Sequence, residues 1–406
     1  MASQTVCDRD DRAPPPDARA AAQVEPSAAA VHVSTELDDL TRPVYGVLGI
    51  PIDAVDMETA QLKIAAAASR TEPFLISTAN LNFLVASLRD TEFRESLLVS
   101  NLCSADGAPV VWAARMLGAP MSGRLAGSDM FVALSATKRA PPLKTFLFGG
   151  EAGVAAKASQ RINAERNGVT CVGTLFPGFG SVADMSADNV IEQVNASQAQ
   201  FLVVALGAKK GQAWLLQNHS RLTVPVRVHL GATINFVAGT VRRAPEALQR
   251  LGLEWFWRIT EEPQLWRRYW SDGLTFIRLI ATRVVPLLAL QMWYAAGRGA
   301  RQDGLSIGYS AQRKRIILSI KGRATCPNIE IAINAFRTAL AAGKDVTINF
   351  DDTELIDARF LGLLLMLYKN LKETGRTLSL VGVPARIARL IRLNEFGFLL
   401  HHEGRA

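Results

Sequence analysis

The sequence has few of the residues that bind metals or form disulfides. Its 406 residues include five histidines and only four cysteines, Cys7, Cys103, Cys171 and Cys326. The cysteines lie far apart without any paired short spacing, which argues against a structural zinc site and against a disulfide framework. We therefore expect a reducing cytosolic environment and no bound metal.

Long uncharged apolar runs are also lacking. Near the N-terminus, acidic residues and prolines stand where a secretory signal would have an apolar core. No stretch offers the ~20 uncharged apolar residues of a membrane-spanning helix, and the run from Val284 to Ala296 is too short. The sequence therefore predicts neither a secreted nor a membrane-spanning protein.

The composition is that of a globular protein with a basic surface. Hydrophobic residues make up 49% of the chain and charged residues 20%, and the net charge is +8. The length predicts two or three domains. The positive charge suits nucleic acid, an anionic membrane surface or a phosphate-bearing substrate, and composition does not choose among them.

Strand-like and helical segments alternate between residues 44 and 245. Apolar runs at 73–80, 144–153 and 199–211 contain glycine or small polar residues at their ends, and helical spacing follows the first over 81–101. This alternation predicts an α/β domain with a Rossmann-like, mainly parallel sheet, in which ligands bind beyond the carboxyl ends of the strands. Residues 1–43 have no periodicity and predict a flexible leader.

Two further segments follow the predicted α/β domain. Residues 246–300 hold five of the seven tryptophans and several arginines, and they predict a helical C-terminal appendage. After a linker at 299–304, residues 305–402 predict a second, smaller α/β domain that begins with a β-hairpin. In the appendage, basic and aromatic residues beside an apolar face favour an interfacial helix near a membrane. A core helix, an oligomer interface and nucleic-acid binding are the alternatives.

Three groups of residues could carry chemistry in the first domain. Thr78, Asn80 and Asp106 lie at or after the ends of strand-like runs, and a carboxylate there can remove the proton from an attacking hydroxyl group. The alternative is that Asp106 is an ordinary turn or cap residue. Gly149 and Gly150 can offer backbone N–H groups to a diphosphate, although glycine turns are common at such positions. Arg242 and Arg243 are either phosphate ligands at the edge of a cleft or surface charges.

Several ordered motifs between residues 44 and 270 together resemble one enzyme family, the WecG/TagA/CpsF glycosyltransferases (family 26). The matching stretches are STANLNFLVASLRD, SADGAPVVWAARMLGAPMSGRLAGSDM, FLFGGEAGVAAKASQRI, LGAKKGQAWLLQN, HLGATINFVAGTVRRAP and LGLEWFWRITEEP. The resemblance implies an inverting, metal-independent transfer of a sugar from a UDP-sugar to a polyprenyl-diphosphate-linked sugar. It also implies a place at the cytoplasmic membrane face, in exopolysaccharide or other cell-surface polysaccharide synthesis, with no cofactor.

The resemblance also assigns roles to residues. It makes Asp106 the catalytic base and places Thr78, Asn80 and Arg124 beside it in the catalytic site. The residues implied to bind substrate are Gly149, Gly150, Gly207, Gln212, Gly231, Asn235, Arg243, Arg258 and Arg268. In the family, the appendage is thought to close over the site and bring arginines to the diphosphate, which would replace a metal ion.

The chain departs from the family pattern at three places. Lys209, Lys210, Gly211 and Gln212 replace the usual Pro-Lys-Gln-Glu. Asn235 replaces an aspartate, and Leu265 replaces an arginine. These departures motivate a second hypothesis, a catalytically weak scaffold that binds UDP-sugar or lipid. A nucleic-acid-binding regulator is a third, disfavoured because the basic residues lie beside an apolar face.

Residues 305–400 resemble a STAS domain, the fold of anti-sigma-factor antagonists. The usual Asp-Ser-Ser-Gly turn is replaced by Asp357, Ala358, Arg359 and Phe360, which leaves no phosphorylatable serine at that turn. The resemblance therefore implies docking to a protein partner or a second copy of the chain, without a phosphorylation switch.

Overall fold

A computed structural model describes residues 38–70, 72–250, 252–296 and 304–400. It begins with a buried hairpin in which β1 (Val44–Val47) pairs antiparallel with β2 (Ile50–Asp53). Residues 1–37 of the predicted leader and most of the predicted linker lie outside the described residues. Residues 38–43 are folded against the hairpin, with Leu40 buried in the core, so the prediction of flexibility is wrong for this part.

The next strands form one fully parallel sheet of six, as the sequence predicts. Its order is β4-β3-β8-β7-β5-β6. The strands are β3 (Phe74–Ala79), β4 (Leu102–Ala105), β5 (Leu143–Gly149), β6 (Val169–Leu175), β7 (Phe201–Ala205) and β8 (Val226–His229). The central strands are nearly continuous apolar runs because helices cover both faces of a parallel sheet.

Nine helices accompany the hairpin and the parallel sheet in the described residues. They are α1 (Met57–Ala68), α2 (Leu81–Arg89), α3 (Thr91–Leu98), α4 (Ala108–Met116), α5 (Gly127–Ala136), α6 (Val154–Glu165), α7 (Asp188–Ala196), α8 (Ala208–Gln217) and α9 (Thr233–Ala238). The helical pattern over 81–101 is two helices. Asp90 ends α2 and begins α3, where its carboxylate accepts a hydrogen bond from the Phe93 N–H, as an N-cap residue does.

The appendage is helical, as predicted. It consists of α10 (Glu246–Arg250), α11 (Glu254–Glu261), α12 (Trp266–Leu279) and α13 (Val285–Ala296). A 3₁₀ turn at Pro263–Leu265 leads into α12, and a π-helical segment at Ile280–Val284 joins α12 to α13.

The helix Pro263–Met292 is long and apolar enough to cross a membrane, by length and composition alone. Its 30 residues contain a window of mean hydropathy 1.7, of which 17% is buried. The expectation that no segment reaches this length counted only the run from Val284. The helix continues upstream through Arg283 and Arg278, and the apolar stretch continues with it.

The C-terminal domain is a second α/β unit. Its sheet has the order β12-β10-β11-β13, and β9 pairs antiparallel with β10 as the predicted hairpin. The elements are β9 (Leu305–Ala311), β10 (Arg315–Ala324), α14 (Ile329–Ala341), β11 (Asp345–Asn349), β12 (Thr353–Ile356), α15 (Ala358–Glu373), β13 (Leu378–Val381) and α16 (Ala385–Leu393).

The hairpin β1–β2 joins this domain to the rest of the protein. One continuous apolar core contains residues of the hairpin, of α2 to α4 and of the C-terminal domain. Buried Arg359, at the start of α15, donates a hydrogen bond of 3.0 Å to the Val44 carbonyl. A Cβ atom at Gly362 would lie 2.1 Å from the same carbonyl oxygen, so only glycine permits this approach of α15 to β1.

Candidate active site

A cleft of about 1050 Å³ opens at the carboxyl ends of the parallel strands. Residues that follow β3, β4, β5, β7 and β8 form its floor, and α11 and α12 of the appendage form a further wall. The position agrees with the rule for open parallel sheets. Ten of the predicted site residues line it: Thr78, Asn80, Asp106, Arg124, Gly150, Gly207, Gly231, Asn235, Arg258 and Arg268.

Asp106 lies directly after β4, on the cleft floor. Its backbone N–H donates a 2.9 Å hydrogen bond to the Ala79 carbonyl at the end of β3, which fixes the turn. Gly107 follows with a φ of +109°, a conformation that favours glycine. The Asp106 carboxylate accepts a hydrogen bond from the Gly127 N–H at the start of α5. The structure therefore places the Asp106 carboxyl group at the end of β4, where the sequence predicts it; its role as a general base stays a prediction.

The surroundings of Asp106 change its acidity. Burial is the largest cause and the Glu254 carboxylate the second, and together they raise the pKa of Asp106 to about 7. The Arg124 cation and the Gly127 N–H oppose this effect without cancelling it. A carboxyl group whose pKa lies near neutrality can both accept and release a proton at physiological pH.

Arg124 connects the cleft floor to the appendage. Its guanidinium lies 2.6 Å from a Glu254 carboxylate oxygen, 3.2 Å from the Gln249 amide oxygen and 3.2 Å from Asp129. Glu254 begins α11, so this ion pair holds the appendage against the first domain. The arrangement places one cation and two further carboxylates around Asp106.

Thr78 and Asn80 occupy the end of β3 and the start of α2. The Asn80 side chain accepts a 3.1 Å hydrogen bond from the Phe83 N–H, so it also caps α2. A Cβ atom at Gly127 would lie 3.1 Å from the Thr78 methyl and 2.3 Å from Leu230. Glycine at 127 thus lets the start of α5 approach both β3 and Asp106.

The glycine turns approach the cleft unequally. The N–H of Gly150 donates a 2.7 Å hydrogen bond to the Ala205 carbonyl and the residue lines the cleft. Gly149, at φ +98°, does not, because it packs on β7: a Cβ atom there would lie 2.6 Å from the Ala205 oxygen. Gly207 and Gly231 bring backbone to the cleft from β7 and β8.

Two other predicted substrate ligands lie outside the cleft. Gln212 is fully buried, and both ends of its amide pair with the Ser77 hydroxyl, at 3.1 and 3.4 Å. Arg243 pairs with Asp129 and donates to the Ser128 hydroxyl at 3.2 Å. The structure therefore gives Gln212 a packing role and makes Arg243 a support of the Arg124 network.

The two appendage arginines reach the cleft from different helices. On α11, Arg258 pairs with Glu262 at 2.5 Å, and its guanidinium lies 5.8 Å from the centre of the Phe236 ring. On α12, Arg268 lies 5.2 Å from the centre of the Tyr269 ring. Asp272 of the same helix accepts a 3.2 Å hydrogen bond from Asn82, which anchors α12 beside α2.

Some of the family departures line the cleft, and Gly211 packs against one of its lining residues. Asn235 and Leu265 line the cleft. Gly211 leaves space for the imidazole of His229, since a Cβ atom at 211 would lie 2.1 Å from the ring. His229 lines the cleft and bonds to the Leu206 carbonyl at 2.5 Å, and burial lowers its pKa. A neutral imidazole thus occupies the space beside residue 211.

Sequence reasoning missed several residues of the cleft. Glu254 gave no signal because its partner, Arg124, is 130 residues away in the chain. Phe179, whose side chain is 88% exposed, stands at the cleft in a loop rich in glycine and aromatic residues. Large apolar side chains form one wall of the cleft, which we call the apolar wall. The sequence signalled it only through the density of tryptophans in the appendage. The wall includes Trp112 of α4 and, from the appendage, Trp255, Trp266, Tyr269, Trp270, Leu274, Phe276 and Ile277.

Comparison with known proteins agrees with this geometry. The model of the glycosyl transferase WecG/TagA/CpsF family matches residues 45–287, and that of the Mlab STAS domain matches residues 307–400. Two relatives are named N-acetylglucosaminyldiphosphoundecaprenol N-acetyl-beta-D-mannosaminyltransferase. The one from Bacillus subtilis is 28% identical over 197 residues, which are 48% of this chain and 75% of the relative. The one from Bacillus spizizenii is 27% identical over 196 residues, 48% of this chain and 74% of the relative.

The first match covers more than half of the chain, including the parallel sheet, the cleft and most of the appendage. The second covers almost the whole C-terminal domain. The chain therefore belongs to the WecG/TagA/CpsF family of glycosyl transferases and carries a STAS domain behind its catalytic fold.

Proposed function

We propose that this glycosyl transferase moves a sugar, with inversion and without a metal ion, from a UDP-sugar to a polyprenyl-diphosphate-linked sugar. The observation that carries the proposal is Asp106, a carboxyl group with a pKa of about 7 on the floor of the cleft. The two relatives are named for an acceptor of this diphosphate-linked kind, which supports the same choice here.

In the proposed reaction, Asp106 acts as the general base. Its carboxylate takes the proton from an acceptor hydroxyl while that oxygen attacks the anomeric carbon of the donor sugar. The bond from this carbon to the UDP oxygen breaks on the opposite face, so the configuration inverts. A positioned base of this kind contributes a rate factor of roughly 10²–10⁴.

The leaving diphosphate needs positive charge and N–H donors. Arg258 and Arg268 line the cleft from the appendage. Gly207 brings backbone to the cleft end of β7, directly before α8, whereas the N–H of Gly150 is donated to the Ala205 carbonyl. Guanidinium groups bind phosphate oxygens through paired hydrogen bonds, and their charge would stabilise the UDP that leaves.

The apolar wall of the cleft supports a lipid-linked acceptor. This wall is also exposed to solvent: Trp270 and Ile277, which line the cleft, are each 66% exposed, and Leu274 is 52% exposed. Such a face, next to arginines, is typical of a helix at a membrane interface. On this basis the proposal includes work at the cytoplasmic membrane face, in the synthesis of a cell-surface polysaccharide such as an exopolysaccharide.

The test is transfer by Asp106→Asn. We expect its turnover to fall by roughly 10²–10⁴ because the amide cannot take the proton. The assay would screen UDP-sugars against a short prenyl-diphosphate sugar in excess EDTA. Asp188→Asn is the matched control, since Asp188 lies on the surface and pairs with Arg221, away from the cleft.

Three results would contradict the proposal. Full turnover by Asp106→Asn would show that Asp106 is not the general base. Loss of wild-type turnover in EDTA would show that the reaction needs a metal ion. Binding of UDP by calorimetry, with no turnover on any lipid acceptor, would instead favour the scaffold that the departures at Gly211, Asn235 and Leu265 suggest.

A further inference from the structure

A chain of buried charges runs from the STAS domain to the catalytic sheet. It begins at Lys369 on α15, whose ammonium lies 2.7 Å from an Asp39 carboxylate oxygen. The other Asp39 oxygen lies 2.5 Å from the Arg42 guanidinium. Lys369, Asp39 and Arg42 are each at most 8% exposed. These groups therefore interact with little screening by solvent.

The chain continues from Arg42 to strand β4. The Arg42 guanidinium donates two hydrogen bonds to Asp53, at 3.1 and 2.7 Å, and a third to the Ser100 carbonyl at 2.9 Å. An Asp53 oxygen then accepts a 2.7 Å hydrogen bond from the Cys103 N–H. Cys103 lies in β4, three residues before Asp106.

The charges in this series depend on one another. Burial opposes ionisation of Asp39, but Arg42 and Lys369 outweigh it, so the pKa of Asp39 is lowered and the group is ionised. Arg42 is shared between two carboxylates. Without Lys369, the Asp39 carboxylate would depend on Arg42 alone and would compete with Asp53 for it.

We propose that Lys369 is a positioning residue for catalysis: through Asp39, Arg42 and Asp53 it holds β4, and with it the Asp106 turn, in register. The STAS domain thereby acts within its own chain, as a brace on the catalytic strand. The inference rests on the proposed role of Asp106.

The experiment compares Lys369→Met with Lys372→Met in the full-length protein. Lys372 lies on the same helix and pairs with Glu95 of α3 at 2.6 Å, so it also crosses to the catalytic domain but does not lead to β4. We expect Lys369→Met to lower kcat about tenfold, with KM for both substrates changed less than about twofold, because a small misplacement of a catalytic group lowers the rate. Lys372→Met should keep both constants within about twofold.

A double substitution tests whether Lys369 acts through this series of buried charges. In Lys369→Met/Asp39→Asn, the neutral amide at position 39 no longer competes for Arg42, so Asp53 and the Cys103 N–H keep their geometry. We expect kcat to return to within about threefold of wild type, since coupled sites are not additive. No recovery would overturn the proposal, because it would show that Lys369 does not act through Asp39.

Hydrogen exchange separates this inference from the proposed function. In Lys369→Met, amides of the peptide that contains Cys103 and Asp106 should exchange faster, while those of β7 should not change. If exchange is faster in Lys369→Met but the wild-type protein transfers no sugar, the proposed function is wrong, while the structural link from Lys369 to β4 is supported. An active wild type with unchanged exchange in the variant would overturn the brace. Should Lys369→Met not fold, Asp53→Asn takes its place: a tenfold loss of kcat supports the proposal and a loss under twofold overturns it.

Discussion

At the scale of single residues, the pKa of Asp106 depends on the opposing effects of a neighbouring carboxylate and a neighbouring cation. The Glu254 carboxylate raises its pKa, yet the same carboxylate also binds Arg124, the cation that lowers it. The contact of the appendage with the first domain therefore supplies a carboxylate that raises the pKa of Asp106. In the proposed reaction, the appendage would thus affect the acid–base chemistry as well as binding.

This arrangement predicts the pH dependence of transfer. Asp106 must be ionised to take a proton, so kcat/KM should rise about tenfold per pH unit below a pKa near 7 and level off above it. Glu254→Gln removes a cause that raises the pKa, so the acid limb should move to lower pH. Rate profiles of the wild type, Glu254→Gln and the surface control Glu261→Gln would show this; an unmoved limb in Glu254→Gln would contradict it.

The position of a residue could be predicted from the sequence where it depends on local order. Asp106 and Thr78 were correctly expected at the cleft because strand ends in parallel sheets meet at one edge. Glu254 and His229 were missed because their roles arise from contacts with Arg124 and Gly211, which are distant in sequence. Gln212 was placed in the site by the family motif, whereas its side chain points into the core against Ser77.

At the scale of elements, the helix Pro263–Met292 has two unlike faces. One face carries Asp272, Leu279 and Val284, which are buried against the protein. The other carries large apolar side chains in solvent. Exposed apolar area of this size marks a surface that meets a membrane or a partner.

The exposed face predicts how membrane binding can be reduced without unfolding the protein. Trp270→Ser/Ile277→Ser should weaken co-sedimentation with anionic phospholipid vesicles by about tenfold or more, since two large apolar side chains no longer leave water. The melting temperature should be unchanged. Leu62→Ser on α1 is the control, with a side chain 52% exposed. Equal sedimentation of all variants would contradict an interfacial helix, and wild-type protein that resists extraction by salt and alkali would indicate a spanning one.

The bounds of the helix Pro263–Met292 show why the sequence predicted a shorter apolar segment. The apolar run after Val284 looked short because Arg278 and Arg283 interrupt the pattern. In the structure, Arg283 pairs with Glu395 of the STAS domain at 2.6 Å, so its charge is engaged by the protein. The helix continues through both arginines, which a count of uncharged residues alone did not indicate.

At the scale of the whole molecule, the STAS domain is packed into the transferase. The turn that carries a phosphorylatable serine in related domains here presents Arg359 to β1 of the same chain. The fold of both domains could be predicted because each has a regular pattern of strands and helices. Their packing could not, since the contacts join residues more than 300 positions apart.

Gly362→Ala tests the importance of this packing. The added methyl group would lie 2.1 Å from the Val44 carbonyl and force α15 away from β1. We expect a loss of stability of about 1–3 kcal/mol or more, as overpacking produces. Gly273→Ala is the control, because a Cβ atom there has nothing within 4 Å and alanine favours a helix. Thermal unfolding measures both, and equal melting temperatures would show that the contact can relax.

The packing of β1 against α15 also has a consequence during synthesis of the protein. Val44 leaves the ribosome 315 residues before Arg359, its partner across the interface. At about 5–20 residues per second, the hairpin waits about 15–60 s for the helix that covers it. A truncated product would therefore keep an apolar strand uncovered, and a cell could recognise and remove it before it reaches any substrate.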